Sequence, residues 1–275
     1  MDRERIDRNE PKGGGLAMIG FSHSIRTLRT NNAKARLAAG QHVIALEGLN
    51  DADTIERLGP MNPHAVWLEG EHNLVSPPNI ADMTRAADLA NTTSIVRVNR
   101  VEEGLIYQAL DLGAQGVAVP HVDTREDAET VVRAAKFSPL GKRGMYGSRQ
   151  GLGDPDFFKK ANDETMIIVF IEDVIALDNL DEILKVDHID VFLVGPGDMS
   201  QSMGHLGDPF HPEVTSALED AVRKIVAAGR TAGTVGNHEN VARYMELGAR
   251  FFLTNPLPWI GAGYEDLRQR VGAER

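Results

Sequence analysis

From about residue 42 onward, short apolar runs alternate with segments whose apolar positions recur at helical spacing. The runs are His42–Glu47, Ala65–Glu69, Ser94–Val98, Gly116–Val119, Met166–Glu172, Asp190–Val194, Thr231–Val235 and Arg250–Thr254. Several are apolar at nearly every position, the pattern of parallel strands covered on both faces. The segments Ile80 to Leu89, Glu103 to Leu112 and Val214 to Ala228 carry helix-period apolar residues between them. An earlier helix is expected from Ile25 to Ala39, with Ile25, Leu28, Ala35 and Leu37 set among Arg and Lys and Gly40 as its stop. Eight strands alternating with helices predict a (β/α)8 barrel, a fold of about 250 residues. A doubly wound open sheet is the competing architecture. Its G-x-G-x-x-G fingerprint after the first strand is missing, since Gly48 stands alone after Glu47.

No linker to a second domain and no short-period repeat interrupts this alternation. The opening MDRERIDRNEPKGGG is charged and Gly-rich, so residues 1–24 are read as a flexible tail and residues 25–275 as one barrel domain.

Composition narrows the function classes. The 275 residues include 29 Lys and Arg against 40 Asp and Glu, a formal net charge of −11, which is a poor match for nucleic acid or an anionic membrane. There is no Cys, so thiolate metal sites, disulfides and a Cys nucleophile are excluded, and a reducing cytoplasm is the natural setting. The first residues lack a hydrophobic signal core, and no apolar run approaches the length of a membrane span.

In such a barrel the chemistry sits at the C-terminal ends of the strands. There the second strand ends in Glu69-Gly70-Glu71-His72, the third contains Arg97, and the fourth ends in Pro120-His121. The fifth ends in Glu172-Asp173, and the sixth runs into Gly195-Pro196-Gly197-Asp198. Glu172 and Asp198 close consecutive strands, so their carboxylates converge. Two hard oxygen ligands suit Mg2+ or Mn2+, with Co2+ a further candidate. Taken singly, each acid is better explained by capping the helix that follows, but two on adjacent strands, one inside a GPGD turn, favour a metal. Arg97 interrupts a buried strand, where a charge is costly unless paired. Its guanidinium could hold a substrate carboxylate or keto oxygen, and a structural ion pair with a rim acid such as Glu69 accounts for it equally.

His72 is the best-placed general base, because histidine titrates nearest working pH. His121 shares only its strand-end position, and His238 is weaker still. His64 and His188 fall in connectors, and His211 precedes a helix.

The stretches LEGEH (68–72), IVRVN (95–99), LDLGAQGVAVPHV (110–122), FSPLGKRG (137–144), KKANDETMIIVFIE (159–172) and VFLVGPGDMSQSMG (191–204) occur in collinear order. With GDPFHPEV (207–214) and YMELGARFFLTN (244–255), they resemble the HpcH/HpaI family of metal-dependent class II aldolases acting on 2-oxo acids.

The resemblance implies a phosphoenolpyruvate/pyruvate-type barrel that assembles as a homotrimer or homohexamer, often with the last helix on a neighbour. It implies reversible cleavage of a 4-hydroxy-2-oxo acid to pyruvate and an aldehyde. By motif, Glu172 and Asp198 match the metal carboxylates, His72 the base, and Arg97 the arginine at the keto-acid oxygens. Asp111 matches an aspartate supporting that base, and the amides of Gly197 and Asp198 match the carboxylate cradle. No Schiff-base Lys is required, and none stands at a strand end. The sequence departs from the family pattern at four places. Phe170 replaces a common Gln, and Glu69 replaces the usual Asp and joins the substrate-facing set. Asp173 and Glu47 add acids. Oxaloacetate decarboxylation or another carbon–carbon lyase reaction, CoA-ester cleavage included, is the alternative within enzymes. A non-catalytic oxo-acid-binding barrel is the alternative outside them.

Overall fold

The computed structural model describes residues 27–73 and 75–272. The expected tail over 1–24 therefore lies outside the described residues. Eight strands form a closed barrel in sequence order: β1 (Val43–Leu46), β2 (Ala65–Glu69), β3 (Thr93–Arg97), β4 (Gly116–Val119), β5 (Met166–Ile171), β6 (Val191–Val194), β7 (Ala232–Val235) and β8 (Phe251–Thr254). Every neighbouring pair is parallel, and β8 closes on β1. The helices are α1 (Asn32–Ala38), α2 (Ala52–Arg57), α3 (Pro77–Leu89), α4 (Glu103–Asp111), α5 (Arg125–Ala135), α6 (Phe157–Glu164), α7 (Val174–Asp178), α8 (Leu180–Ile183), α9 (Pro196–Ser202), α10 (Pro212–Ala227), α11 (Val241–Glu246) and α12 (Leu257–Arg270). Among the described residues no helix is long and apolar enough to cross a membrane.

All eight strands fall on the expected runs, and their side chains divide by parity into two layers. Ala45, Trp67, Ile95, Ala118, Ile168, Phe170, Leu193 and Leu253 fill the barrel interior. Leu46, Val66, Leu68, Val96, Val117, Val169 and Val194 face outward into the helix layer. This two-residue period extends past the strand ends and aims the polar residues. Glu47 lies in phase with Ala45, Glu69 with Trp67, Arg97 with Ile95, and Glu172 with Phe170. The pairing register sets Glu69 directly beside Arg97.

The first helix begins later than the apolar pattern suggests. Residues 27–31 are not helical, and α1 starts at Asn32, with residues 25–26 outside the described region. The side chain of Asn31 caps α1 by accepting from the Lys34 amide at 3.0 Å. It also donates to the Gln115 and Glu164 carbonyls at 3.0 Å each. The Ala33 amide donates to the Thr93 hydroxyl at the start of β3. Tertiary contacts at the N-terminal mouth of the barrel thus stop the helix where the local sequence would continue it, and α1 closes that mouth. The opposite, C-terminal end stays open.

Candidate active site

The open end gathers Glu69, Glu71, His72, Arg97, His121, Glu172 and Asp198. Gly70 makes the tight turn after β2: its amide donates to the Arg97 carbonyl at 3.0 Å, and a Cβ there would lie 2.5 Å from that oxygen. Glu69 organises the same turn. Its Oε1 accepts the Glu71 and His72 amides at 2.8 and 3.2 Å, and its Oε2 accepts Trp67 Nε1 at 3.0 Å. The longer carboxylate at position 69 thus spans from the barrel interior to the His72 backbone.

Arg97 lies among acids. Its Nη2 contacts Glu71 Oε2 and stands 3.5 Å from Glu172 Oε1, while Nη1 is 3.6 Å from Glu69 Oε2. The ion-pair reading of this residue is thus realised, and with Glu71 and Glu172 as well as Glu69. Phe170 lies under the guanidinium, whose carbon is 4.4 Å from the ring centroid, and meets Trp67 edge-on at 5.9 Å. An aromatic face in that place holds a cation flat, which gives the Phe170 departure a positive structural role.

Glu172 is buried, and its Oε1 accepts the His121 amide at 3.1 Å. Burial pushes its carboxyl up to about 7, against the pull of Arg97 and of the His121 amide. Burial likewise raises Glu71, and burial followed by the nearby Glu69 raises Glu47. Three acids at one mouth are thus short of counter-charge. Helix capping does not explain Glu172. The N-cap of α7 is Asp173, which accepts from the Ile175 amide at 2.8 Å, so this extra acid is a cap. Asp198 is the third residue of α9, whose N-cap is Gly195. Gly197 precedes it in the first turn, where backbone amides lack intrahelical partners.

The donor atoms of His121, Glu172 and Asp198 all lie within 4.8 Å of one another, a set of one nitrogen and two carboxylates able to hold a divalent cation. The two carboxylates are the expected pair, and sequence reasoning gave His121 no role. By parity it continues the outward face of Val119. It adopts a left-handed φ of 49°, which turns it toward Glu172. A histidine following Pro120 at a strand end was its only signal. Glu71 was visible only as part of the GEH turn, yet it meets Arg97, His72 (3.4 Å) and His121 (3.7 Å). The His72 ring is mostly exposed to the open end.

Asp111 requires a correction. It ends α4, which runs back along the outside of the barrel, so it lies at the closed end, away from His72. Its Oδ1 accepts from Arg143 Nη2 at 2.6 Å. Within one chain, Asp111 does not support the base. His64 is structural, accepting the Ile44 amide at 3.1 Å, and His211 caps α10. His238 packs beside Trp259.

A parallel eight-stranded barrel whose C-terminal mouth gathers acids, Arg97 and a cation-compatible donor set is a site suited to metal-assisted chemistry on a small anionic molecule. The model of the HpcH/HpaI aldolase/citrate lyase family matches residues 25–253, and the chain belongs to that family of carbon–carbon lyases. It is 38% identical over 229 residues to a 4-hydroxy-2-oxo-heptane-1,7-dioate aldolase of Klebsiella pneumoniae, covering 80% of this chain and 86% of that one. It is 38% identical to a hydroxypyruvate/pyruvate aldolase of Deinococcus radiodurans, covering 81% and 82%. A crystal structure of a family member from Burkholderia cenocepacia superposes with a TM-score of 0.82 at 29% identity, covering 89% of this chain and all of that one.

Proposed function

We propose that this protein is a divalent-metal-dependent aldolase that reversibly cleaves a 4-hydroxy-2-oxo acid to pyruvate and an aldehyde. The observation that carries the proposal is the buried Glu172, whose carboxyl burial raises to about 7, converging with Asp198 at a mouth that also holds Arg97. Hard oxygen donors fit Mg2+ or Mn2+, and Co2+ is compatible. Bound there, such an ion would supply Lewis-acid stabilisation to charge on the substrate's C2 oxygen.

The remaining work falls to the chain's own residues. Arg97, held flat on Phe170, faces the same developing charge. The amides of Gly197 and Asp198 receive the C1 carboxylate. His72 takes the C4 hydroxyl proton as the C3–C4 bond breaks and returns it in the condensation direction. Glu69 holds the turn that carries His72 in place by accepting the Glu71 and His72 amides.

Assembly as a homotrimer or homohexamer is part of the proposal. It is supported by α12, which buries none of its residues against its own chain and exposes Leu257, Ile260, Tyr264 and Leu267. Ile44 on the outer face of β1 is exposed as well.

The test is pyruvate release from a 4-hydroxy-2-oxo acid, with oxaloacetate run in parallel. EDTA abolishes the release, and Glu172→Ala lowers it by at least about 10³-fold. Full activity in either case overturns the metal assignment. Decarboxylation without aldol cleavage of any hydroxy-oxo acid overturns the aldolase reading.

A further inference from the structure

We propose that His121 is a third protein ligand to the divalent ion, through Nδ1, and that Glu71 orients its ring through Nε2. This rests on the reading of Glu172 and Asp198 as metal carboxylates and adds a nitrogen to their oxygens.

Three observations carry it. First, Nδ1 lies 3.9 Å from Glu172 Oε1, and the donor atoms of His121, Glu172 and Asp198 fall within 4.8 Å of one another. Two ligands each about 2.1 Å from a shared ion are roughly 3 Å apart when adjacent and about 4.2 Å when opposite. A separation of 3.9 Å is too long for a hydrogen bond and falls inside that span.

Second, the opposite ring nitrogen has a carboxylate beside it, Nε2 standing 3.7 Å from Glu71 Oε1, an ion-pair distance longer than a hydrogen bond. A metal-bound histidine ordinarily turns its other N–H toward such an acid, which fixes the tautomer and leaves the metal-facing nitrogen with its lone pair. Glu71 is itself anchored by Arg97, so this orienting acid is not a free surface group.

Third, the backbone at His121 takes the left-handed conformation, which few non-glycine residues adopt, although histidine tolerates it better than most. That single turn delivers the His121 amide to Glu172 Oε1 at 3.1 Å and the ring to the same carboxylate. One residue thus fixes the orientation of one ligand and supplies another.

The chemical consequence is selectivity. Imidazole favours Co2+ and Zn2+ over Mg2+, whereas carboxylates and water suit Mg2+ and Mn2+. The nitrogen therefore biases this protein toward transition ions.

Electron spin-echo spectroscopy of the Mn2+-loaded wild-type protein reads the nitrogen directly and needs no turnover. A 14N coupling from a directly bound imidazole is expected, and His121→Asn, which tolerates the same backbone conformation, removes it. In calorimetric titrations His121→Asn loses on the order of tenfold or more in Co2+ affinity, while Mg2+ affinity changes less than about threefold. Stoichiometric Mn2+ binding without nitrogen coupling, or a coupling that persists in His121→Asn, overturns this inference and leaves the metal reading standing. Failure of the wild-type protein to bind any divalent ion overturns both.

Discussion

The two ends of the barrel treat charge in opposite ways. At the closed end, Asp88 meets Arg29, Arg149 (2.7 Å) and Gln150 (3.1 Å), and Asp111 meets Arg143. Two acids there face three arginines. Lys136, buried at the same end, gives its ammonium to the Asn162 and Thr165 carbonyls at 2.6 and 2.7 Å. At the open end Glu47, Glu69, Glu71, Glu172 and Asp198 share one arginine, and three of them are raised above the ordinary carboxylate range. Burial alone does not mark function, because both ends bury charged groups. What separates them is the sign of the imbalance: the closed end pairs its acids with arginines and buries a lysine whose ammonium burial disfavours, whereas the open end gathers acids around one arginine and suits a cation.

The largest test of that contrast removes a charge from each end. Arg97→Met takes away the guanidinium that contacts Glu69, Glu71 and Glu172 and leaves those acids facing one another. Its kcat is expected to fall about 10²–10³-fold. Its stability deficit should be larger at pH 7.5 than at pH 5, where protonation relieves the acids. Asp88→Asn at the closed end weakens three contacts, costing roughly 1–3 kcal/mol in denaturant titration. Its kcat and KM should match wild type at temperatures where it stays folded. If Arg97→Met keeps kcat within tenfold, or Asp88→Asn loses kcat, the division between a functional and a structural end is broken.

A second test uses pH. The Glu172 carboxyl, raised by burial from 4.5 to about 7, holds a proton in the folded protein that the unfolded chain has released between those values. Unfolding then sheds protons, so stability falls as pH rises across that window, by on the order of 1–3 kcal/mol for this group. Metal-free protein should therefore melt a few degrees lower at pH 7.5 than at pH 5. Glu172→Gln, which has no charge to bury, should lose that part of the slope, and added Mn2+ should reverse it in the wild type. An identical slope in metal-free wild type and Glu172→Gln would show that Glu172 is not the group left short of counter-charge.

The same contrast explains what the sequence disclosed. The barrel was legible because buried parallel strands are apolar at almost every position, so Met166 to Ile171 or Val191 to Val194 stand out in any reading. Glu69, Arg97 and Glu172 were legible as strand-end polar residues, and strand parity aims all three inward. His121 was not, because its inward turn depends on a left-handed backbone angle that no spacing encodes. Within one chain Asp111 pairs with Arg143 instead of standing beside His72, because a motif gives a residue's neighbours in sequence whereas helix direction sets its end of the barrel. The late start of α1 was hidden because Asn31 is held by Gln115 and Glu164, residues far away in sequence.

The smallest predicted effect is also the most local. The Gly195 backbone follows β6 and passes so close to Glu172 that a Cβ there would lie 2.7 Å from Oε2 and 3.1 Å from its Cβ. Phe170 Cδ1 would stand 3.4 Å away, so the carboxylate cannot retreat in that direction without moving the ring beneath Arg97. Gly195 has an ordinary negative φ of −102°, so alanine there carries no backbone penalty and its effect is purely steric. Gly195→Ala should therefore lose about 1–3 kcal/mol of stability from the crowding while turning the Glu172 Oε2 lone pairs away from Asp198. Divalent-ion affinity by calorimetry is expected to drop about tenfold, roughly 1.4 kcal/mol. Gly197→Ala serves as the control two residues on, because a Cβ at that position meets nothing within 4 Å. Equal metal affinity in the two variants would mean that the close approach at Gly195 does not position the carboxylate for its ion.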